Sequence, residues 1–143
     1  MKNNEISAYR QQNIANMSQK ELIVFLYDSA LNFLEEGKEK IEADDVPGTF
    51  EKLNRARKVF LHLLSTLNVD AGGEFARKLS SLYAYFIEKI TMANVTKSIQ
   101  DIDDIIPIIG EIRNAWANMN FSEDSVSMPK RGAESIQVVS LEA

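Results

Sequence analysis

The chain has 143 residues, 45% hydrophobic and 26% charged, with a formal net charge of −5; this suits one domain with a real core and excludes a primary nucleic-acid role, which needs clustered Lys and Arg. The absence of cysteine excludes disulfides and thiolate metal sites. Nothing at the N-terminus resembles an apolar signal region and no stretch approaches the roughly 20 apolar residues needed to span a bilayer, so a cytoplasmic location without membrane insertion is expected.

A short amphipathic segment at 5–14, carrying Ile6, Tyr9 and Ile14, comes first and is expected to form a helical cap. Ser18-Gln19-Lys20-Glu21 then has the form of a capping box: the Ser18 hydroxyl can accept from the N–H of residue 21, and the Glu21 carboxylate can accept from the N–H of Ser18. The first long helix is predicted to run from there to about Ala43, where Asp44-Asp45-Val46-Pro47-Gly48 breaks it. A second helix over 47–67 presents Phe50, Leu53, Ala56, Phe60, Leu63, Leu64 and Leu67 at three-to-four spacing. Asn68 to Gly73 ends it, with glycines free to take positive φ.

The third helix, 73–95, repeats the pattern through Phe75, Ala76, Leu79, Leu82, Tyr83, Phe86, Ile90 and Ala93. Ser98 caps the fourth, whose stripe is Ile102, Ile105, Ile106, Ile109, Ile112, Trp116 and Met119. Pro107 lies inside it, removes one backbone hydrogen bond and predicts a bend near Asp103. The fold class is therefore all-α: an antiparallel four-helix bundle over 18–120, preceded by the cap segment 1–17 and followed by a tail, 121–143, whose composition predicts mobility. That tail ends in an apolar stretch, Ile136-Gln137-Val138-Val139-Ser140-Leu141, suited to docking.

The first helix carries more apolar surface than a bundle core needs. With Leu22 at zero on a helical wheel, Phe33, Leu26, Ala30, Ile23, Leu34, Tyr27, Leu31 and Val24 fill an arc of about 200°, and Phe25 stands apart at about 300°. Three readings of this excess stay open: the segment 5–14 folds over it, a partner helix docks on it, or it forms a homodimer interface. Tyr85, Ile87 and Met92 on the third helix and Ile108 on the fourth show a similar excess.

Chemistry is sparse. His62 is the only histidine and sits between Leu61 and Leu63, beside the core rather than in a setting for phosphate acceptance. Gly72-Gly73 has no following Lys-Ser/Thr, so it is no phosphate loop, and Asp101, Asp103 and Asp104 lack calcium-loop spacing. The expectation is a protein that is not an enzyme and uses no metal or cofactor.

Several segments, taken in order, resemble the flagellar export chaperone family FliS: Ala8-Tyr9-Arg10, the Ser-capped Glu21-Leu22-Ile23, Leu26-Tyr27-Asp28-Ser29-Ala30, Leu67 through Glu74, Leu79 through Tyr85, Ala93-Asn94, and Ile112-Arg113-Asn114-Ala115-Trp116. The resemblance covers about residues 6–120. Gln19 stands where the family often has Pro, Ser29 where it often has Gly, and Pro107 interrupts a helix that is usually continuous. The resemblance implies a cytosolic chaperone that binds the disordered C-terminal segment of flagellin in a hydrophobic groove, prevents premature polymerisation and delivers it to an export-gate component. Ile6, Tyr9, Ile14, Leu22, Phe25, Leu26, Tyr27, Tyr83 and Tyr85 are the expected partner contacts, from the apolar arc and the matched motifs. A self-associating structural bundle and a phosphotransfer module using His62 are the alternative readings.

Overall fold

The computed structural model describes residues 17–119, which form four α-helices and no strand: α1 (Gln19–Glu42), α2 (Val46–Thr66), α3 (Val69–Thr96) and α4 (Ile99–Asn118). The cap segment 5–14 and the tail lie outside the described residues. Each start is fixed by a side-chain acceptor. Ser18 accepts from the Glu21 N–H at 3.2 Å while Glu21 accepts from the Ser18 N–H at 3.3 Å, completing the capping box. Asp45 accepts from Gly48 N–H at 2.9 Å, Asn68 from Ala71 N–H at 3.0 Å, and Ser98 from Asp101 N–H at 3.3 Å.

The predicted break at 68–73 is present in modified form. A first helical turn opens at Val69, and the course is interrupted at Gly73, whose φ of 59° and ψ of −136° is a conformation that side chains exclude. Pro107 lies within an α4 that continues from Ile99 to Asn118, with its ring on the exposed side. The missing N–H leaves the Asp103 carbonyl to solvent rather than to the core.

Cross-helix pairs show the antiparallel order. Along α1 and α2, Glu36 meets Lys52 at 3.2 Å and Tyr27 meets Phe60. Between α1 and α4, Asp28 meets Arg113 and Lys38 meets Asp103 at 2.6 Å. Between α3 and α4, Phe75 meets Trp116, and Lys89 meets Asp101 and Asp104 at 3.0 and 2.9 Å. Thus α1 packs against α2 and α4, and α3 closes the ring against the same two.

The core contains Ile23, Leu26, Ala30 and Leu34 of α1, Leu53, Ala56, Val59 and Phe60 of α2, Phe86, Ile90 and Ala93 of α3, and Ile102, Ile105, Ile109 and Trp116 of α4. At its centre Phe60 packs between Tyr83 and Phe86, with ring centroids 6.0 and 5.1 Å away. The broad apolar arc of α1 has a geometric explanation. With a neighbour on each side, α1 buries Leu22, Ile23, Leu26, Tyr27, Ala30 and Leu34, and Val24, Phe25, Leu31 and Phe33 pack partly buried against them. The large apolar side chains left most exposed are instead on α2 and α3: Val46, Phe50, Leu61, Phe75, Tyr85, Met92 and Val95. Phe50 and Phe75 therefore depart from the predicted core stripes.

Two buried or half-buried glycines give opposite predictions. A Cβ on Gly37 would stand 2.5 Å from Leu53 Cδ2, at a side chain that is itself fully buried. Overpacking of about 1–3 kcal/mol outweighs the helix-propensity gain of about 1 kcal/mol, so Gly37→Ala destabilises by about 1 kcal/mol net. A Cβ on Gly110 meets nothing within 4 Å, so Gly110→Ala stabilises by about 0.5–1 kcal/mol. Chemical denaturation of the two variants should move the midpoint in opposite directions, and a shared direction would refute the local packing account.

Candidate functional site

Phe50 and Val95, two of the most exposed apolar side chains, border one seam. On α2, Phe50, Asn54, Arg57 and Leu61 recur at helical spacing and line one face. On α3, Thr91, Asn94 and Val95 stand across from its upper part. Between them lies a groove of about 180 Å³, with Leu53 and Ile90 among its lining residues. Phe50 is 57% exposed and Val95 75%. The rim is polar: Arg57 Nη2 donates to Asn54 Oδ1 at 2.9 Å. This volume lies below the few hundred Å³ that small-molecule sites usually offer, so apolar side chains of a chain segment fit it better than a cofactor.

Its electrostatics are distinct too. In a protein of net charge −5, α2 carries Lys52, Arg55, Arg57 and Lys58 against one acid, Glu51. Lys52 is answered by Glu36, and the Arg55 guanidinium lies 5.9 Å from the Phe33 ring centroid. Lys52 and Arg55 thus face α1, and the cation on the α2–α3 seam is Arg57, beside a floor that includes Leu53 and Ile90.

A second, more open cleft of about 380 Å³ sits at the base of α1, lined by Met17, Val24, Phe25, Asp28 and Ala117, with Lys20 and Glu21 at its mouth. Arg113 grips Asp28 with two hydrogen bonds, Nε to Oδ1 at 2.8 Å and Nη2 to Oδ2 at 3.2 Å. This fork-to-carboxylate contact holds the Arg113 guanidinium above its ordinary pKa range. It ties α4 to α1 across a wall of the cleft.

The expected contact residues separate into three groups. Ile6, Tyr9 and Ile14 lie outside the described residues. Leu22, Leu26, Tyr27 and Tyr83 are buried in the core. Phe25 is half-buried in the cleft at the base of α1, and Tyr85 is exposed on α3, where Lys89 Nζ stands 6.0 Å from its ring centroid. The structure does not bring Phe25 and Tyr85 into one site. Sequence reasoning missed Phe50 and Val95 on the seam, because Phe50 continues the core spacing of α2 and Val95 stands at the end of a helix where periodicity gives little direction.

Tyr27 and Tyr83 share a different role. Their hydroxyls meet at 2.5 Å in the core, and the Tyr27 hydroxyl also faces the Trp116 indole N–H. Burial, first of all, pushes the Tyr83 hydroxyl up to about 12 and raises Tyr27 well above its usual range.

The His62 Nε2 is enclosed without a hydrogen-bond partner, and burial lowers its pKa, favouring neutral imidazole. An enclosed nitrogen is poorly placed to accept a phosphoryl group. Among the described residues no cluster of three or more His, Cys, Asp or Glu could hold a metal, and no helix is long and apolar enough to cross a membrane.

Comparison with known proteins gives a consistent result. A family model described as flagellar protein FliS matches residues 1–123. The chain is similar to the flagellar secretion chaperone FliS of Vibrio cholerae, 30% identical over 115 residues, 78% of this chain and 85% of that one. It is 30% identical over 124 residues to the flagellar secretion chaperone FliS of Campylobacter jejuni, covering 86% of this chain and 97% of that one. The Salmonella typhimurium protein of the same description is 30% identical over 120 residues, 80% of this chain and 89% of its own.

Proposed function

The chain belongs to the FliS family, and from that premise we propose that it is a cytosolic, non-enzymatic export chaperone that holds the C-terminal segment of flagellin, prevents its premature polymerisation and delivers it to an export-gate component. The observation that carries the proposal is the α2–α3 seam, where Phe50 and Val95 remain exposed beside a groove suited to side chains. A disordered client can lay apolar residues along such a seam and still be released, because ordering the client offsets much of the contact energy. Phe25 in the cleft at the base of α1, Tyr85 on α3, and Ile6, Tyr9 and Ile14 ahead of the described residues extend the proposed contact surface. Leu22, Leu26, Tyr27 and Tyr83 support that surface from within the core. No ATP, metal or other cofactor is required for holding.

Calorimetry with a flagellin C-terminal peptide of roughly 40 residues should give micromolar or tighter binding with a negative heat-capacity change. Phe50→Asp, at an exposed position, should weaken that binding about tenfold or more, because it places a carboxylate in an apolar contact. Absence of binding to the unaltered protein would reject the flagellin reading; binding untouched by Phe50→Asp would remove the seam as its seat. Homodimerisation across the same face is the competing use of it. Sedimentation at micromolar concentration separates the two, since a dimer would dissociate as peptide is added.

A further inference from the structure

We propose that the stretch Ile136–Leu141 of this chain docks in the α2–α3 groove of its own molecule and covers it. The groove is apolar at its floor, open at Phe50 and Val95, and bordered on α2 by the cation of Arg57. The family match ends at residue 123, and α4 ends at Asn118, so residues 124–143 are an addition to the matched region.

That addition has two parts. Asp124 to Ser135 contains Ser, Pro129, Lys130, Arg131 and Gly132 and has the composition of a linker. Ile136-Gln137-Val138-Val139-Ser140-Leu141 follows, with Glu134 before it and Glu142 after it. Three β-branched residues in six favour extended backbone, in which both faces of the strand present apolar groups. At about 3.3 Å per residue the six span about 20 Å, enough to cover the roughly 10 Å that separates Phe50 from Arg57 along the groove. The flanking carboxylates complement Arg57, the cation that lines the groove.

Reach permits the contact. Residues 120–135 can extend to at most about 53–58 Å. The groove lies about 25–30 Å along the bundle from the end of α4, and neighbouring helix axes are about 8–10 Å apart. Tethering of this kind gives an effective concentration of the order of millimolar, so a weak contact suffices to keep the groove occupied. The cleft at the base of α1 is the poorer seat, because its lining sets Glu21 beside Lys20 and its Asp28 is already held by Arg113, which leaves no net positive charge there for the flanking glutamates.

The chain has no cysteine, so Val95→Cys introduces a unique thiol at an exposed position of the groove. In the full chain this thiol should react slowly with a small disulfide reagent. Adding Ile136→Asp and Val139→Asp should raise its rate about threefold or more, as expected when a cover occupied most of the time is lost. A control thiol at Asn32→Cys, on the exposed side of α1, should show no change. Mild oxidation of the Val95→Cys, Val139→Cys pair should also give an intramolecular disulfide at low protein concentration. An unchanged Val95→Cys rate in the tail variant would overturn the proposal, as would protection that grows with protein concentration and so belongs to a second copy. Neither readout uses flagellin, so the outcome is independent of the client.

Discussion

Replacing Phe60 by alanine should destabilise the fold by about 3–5 kcal/mol, the range for truncating a fully enclosed phenylalanine. Phe60 has no exposed surface and sits on α2 where rings from α1 and α3 converge: Tyr27 at 6.4 Å, Tyr83 at 6.0 Å and Phe86 at 5.1 Å between centroids. Truncation removes an edge-to-face contact with Tyr27 and tilted contacts with Tyr83 and Phe86, and leaves a cavity among them. Because domains of this size are stable by only about 5–15 kcal/mol in total, the variant should populate unfolded chain measurably at moderate temperature. Phe60→Leu, which retains most of the volume, should recover a large part of the loss. Phe50→Ala, one residue type and three turns away on the same helix, should cost less than about 0.5 kcal/mol because Phe50 is mostly in solvent. Urea unfolding followed by helix circular dichroism measures all three. Equal losses for Phe50→Ala and Phe60→Ala would contradict the assignment of core and seam.

The contrast between those two phenylalanines also shows what was legible in the sequence. The starts of α1 and α4 are legible because each depends on a local acceptor three residues from its donor, Ser18 and Ser98; the start of α3 is not, because Asn68, which reads as part of the break after α2, caps a turn that opens before Gly73. The core stripe of α4 was readable because Ile102, Ile105, Ile109 and Trp116 repeat at helical spacing on a helix whose far side is plainly polar. Spacing alone could not separate Phe50 from Phe60. Both continue the same stripe, and only the position of α3 decides that one is enclosed while the other overhangs a groove. The apolar arc of α1 was read correctly as broad, but its breadth reflects neighbours on two sides. The Asp28–Arg113 clamp joins residues 85 positions apart, and no local pattern announces such a pair. Tyr27 and Tyr83 stand in family-like motifs, Tyr27 also on the apolar arc, and so read as contact residues; the same prominence follows from their hydroxyl pair inside the core.

That pair yields the second large effect. Tyr27→Phe or Tyr83→Phe alone should each cost about 1–3 kcal/mol, since each leaves a hydroxyl in the core with its partner removed. Replacing both should cost less than the sum, because no orphaned hydroxyl of the pair remains. The same geometry makes stability sensitive to alkali. The Tyr83 hydroxyl is raised to about 12 in the folded protein by burial, against an ordinary 10.0. Below pH 10 both states keep the proton and the pair contributes fully. Between about pH 10 and 12 the unfolded chain gives up a proton that the folded chain retains, so stability falls by about 1.4 kcal/mol per pH unit for each such hydroxyl. Tyr27 shifts in the same direction. The unaltered protein should therefore lose denaturation free energy more steeply over this window than the Tyr27→Phe, Tyr83→Phe double variant, whose remaining slope reports the lysines. Identical slopes for the two proteins would show that the buried hydroxyls ionise as freely as in the unfolded chain. A double variant as unstable as the sum of the singles would place the loss in ring packing rather than in the hydrogen bond. The pair's position supplies the functional consequence: it ties α1 to α3 through the middle of the bundle, between the cleft at the base of α1 and the α2–α3 seam. Weakening it should loosen both surfaces together, whereas Phe50→Asp acts on the seam alone.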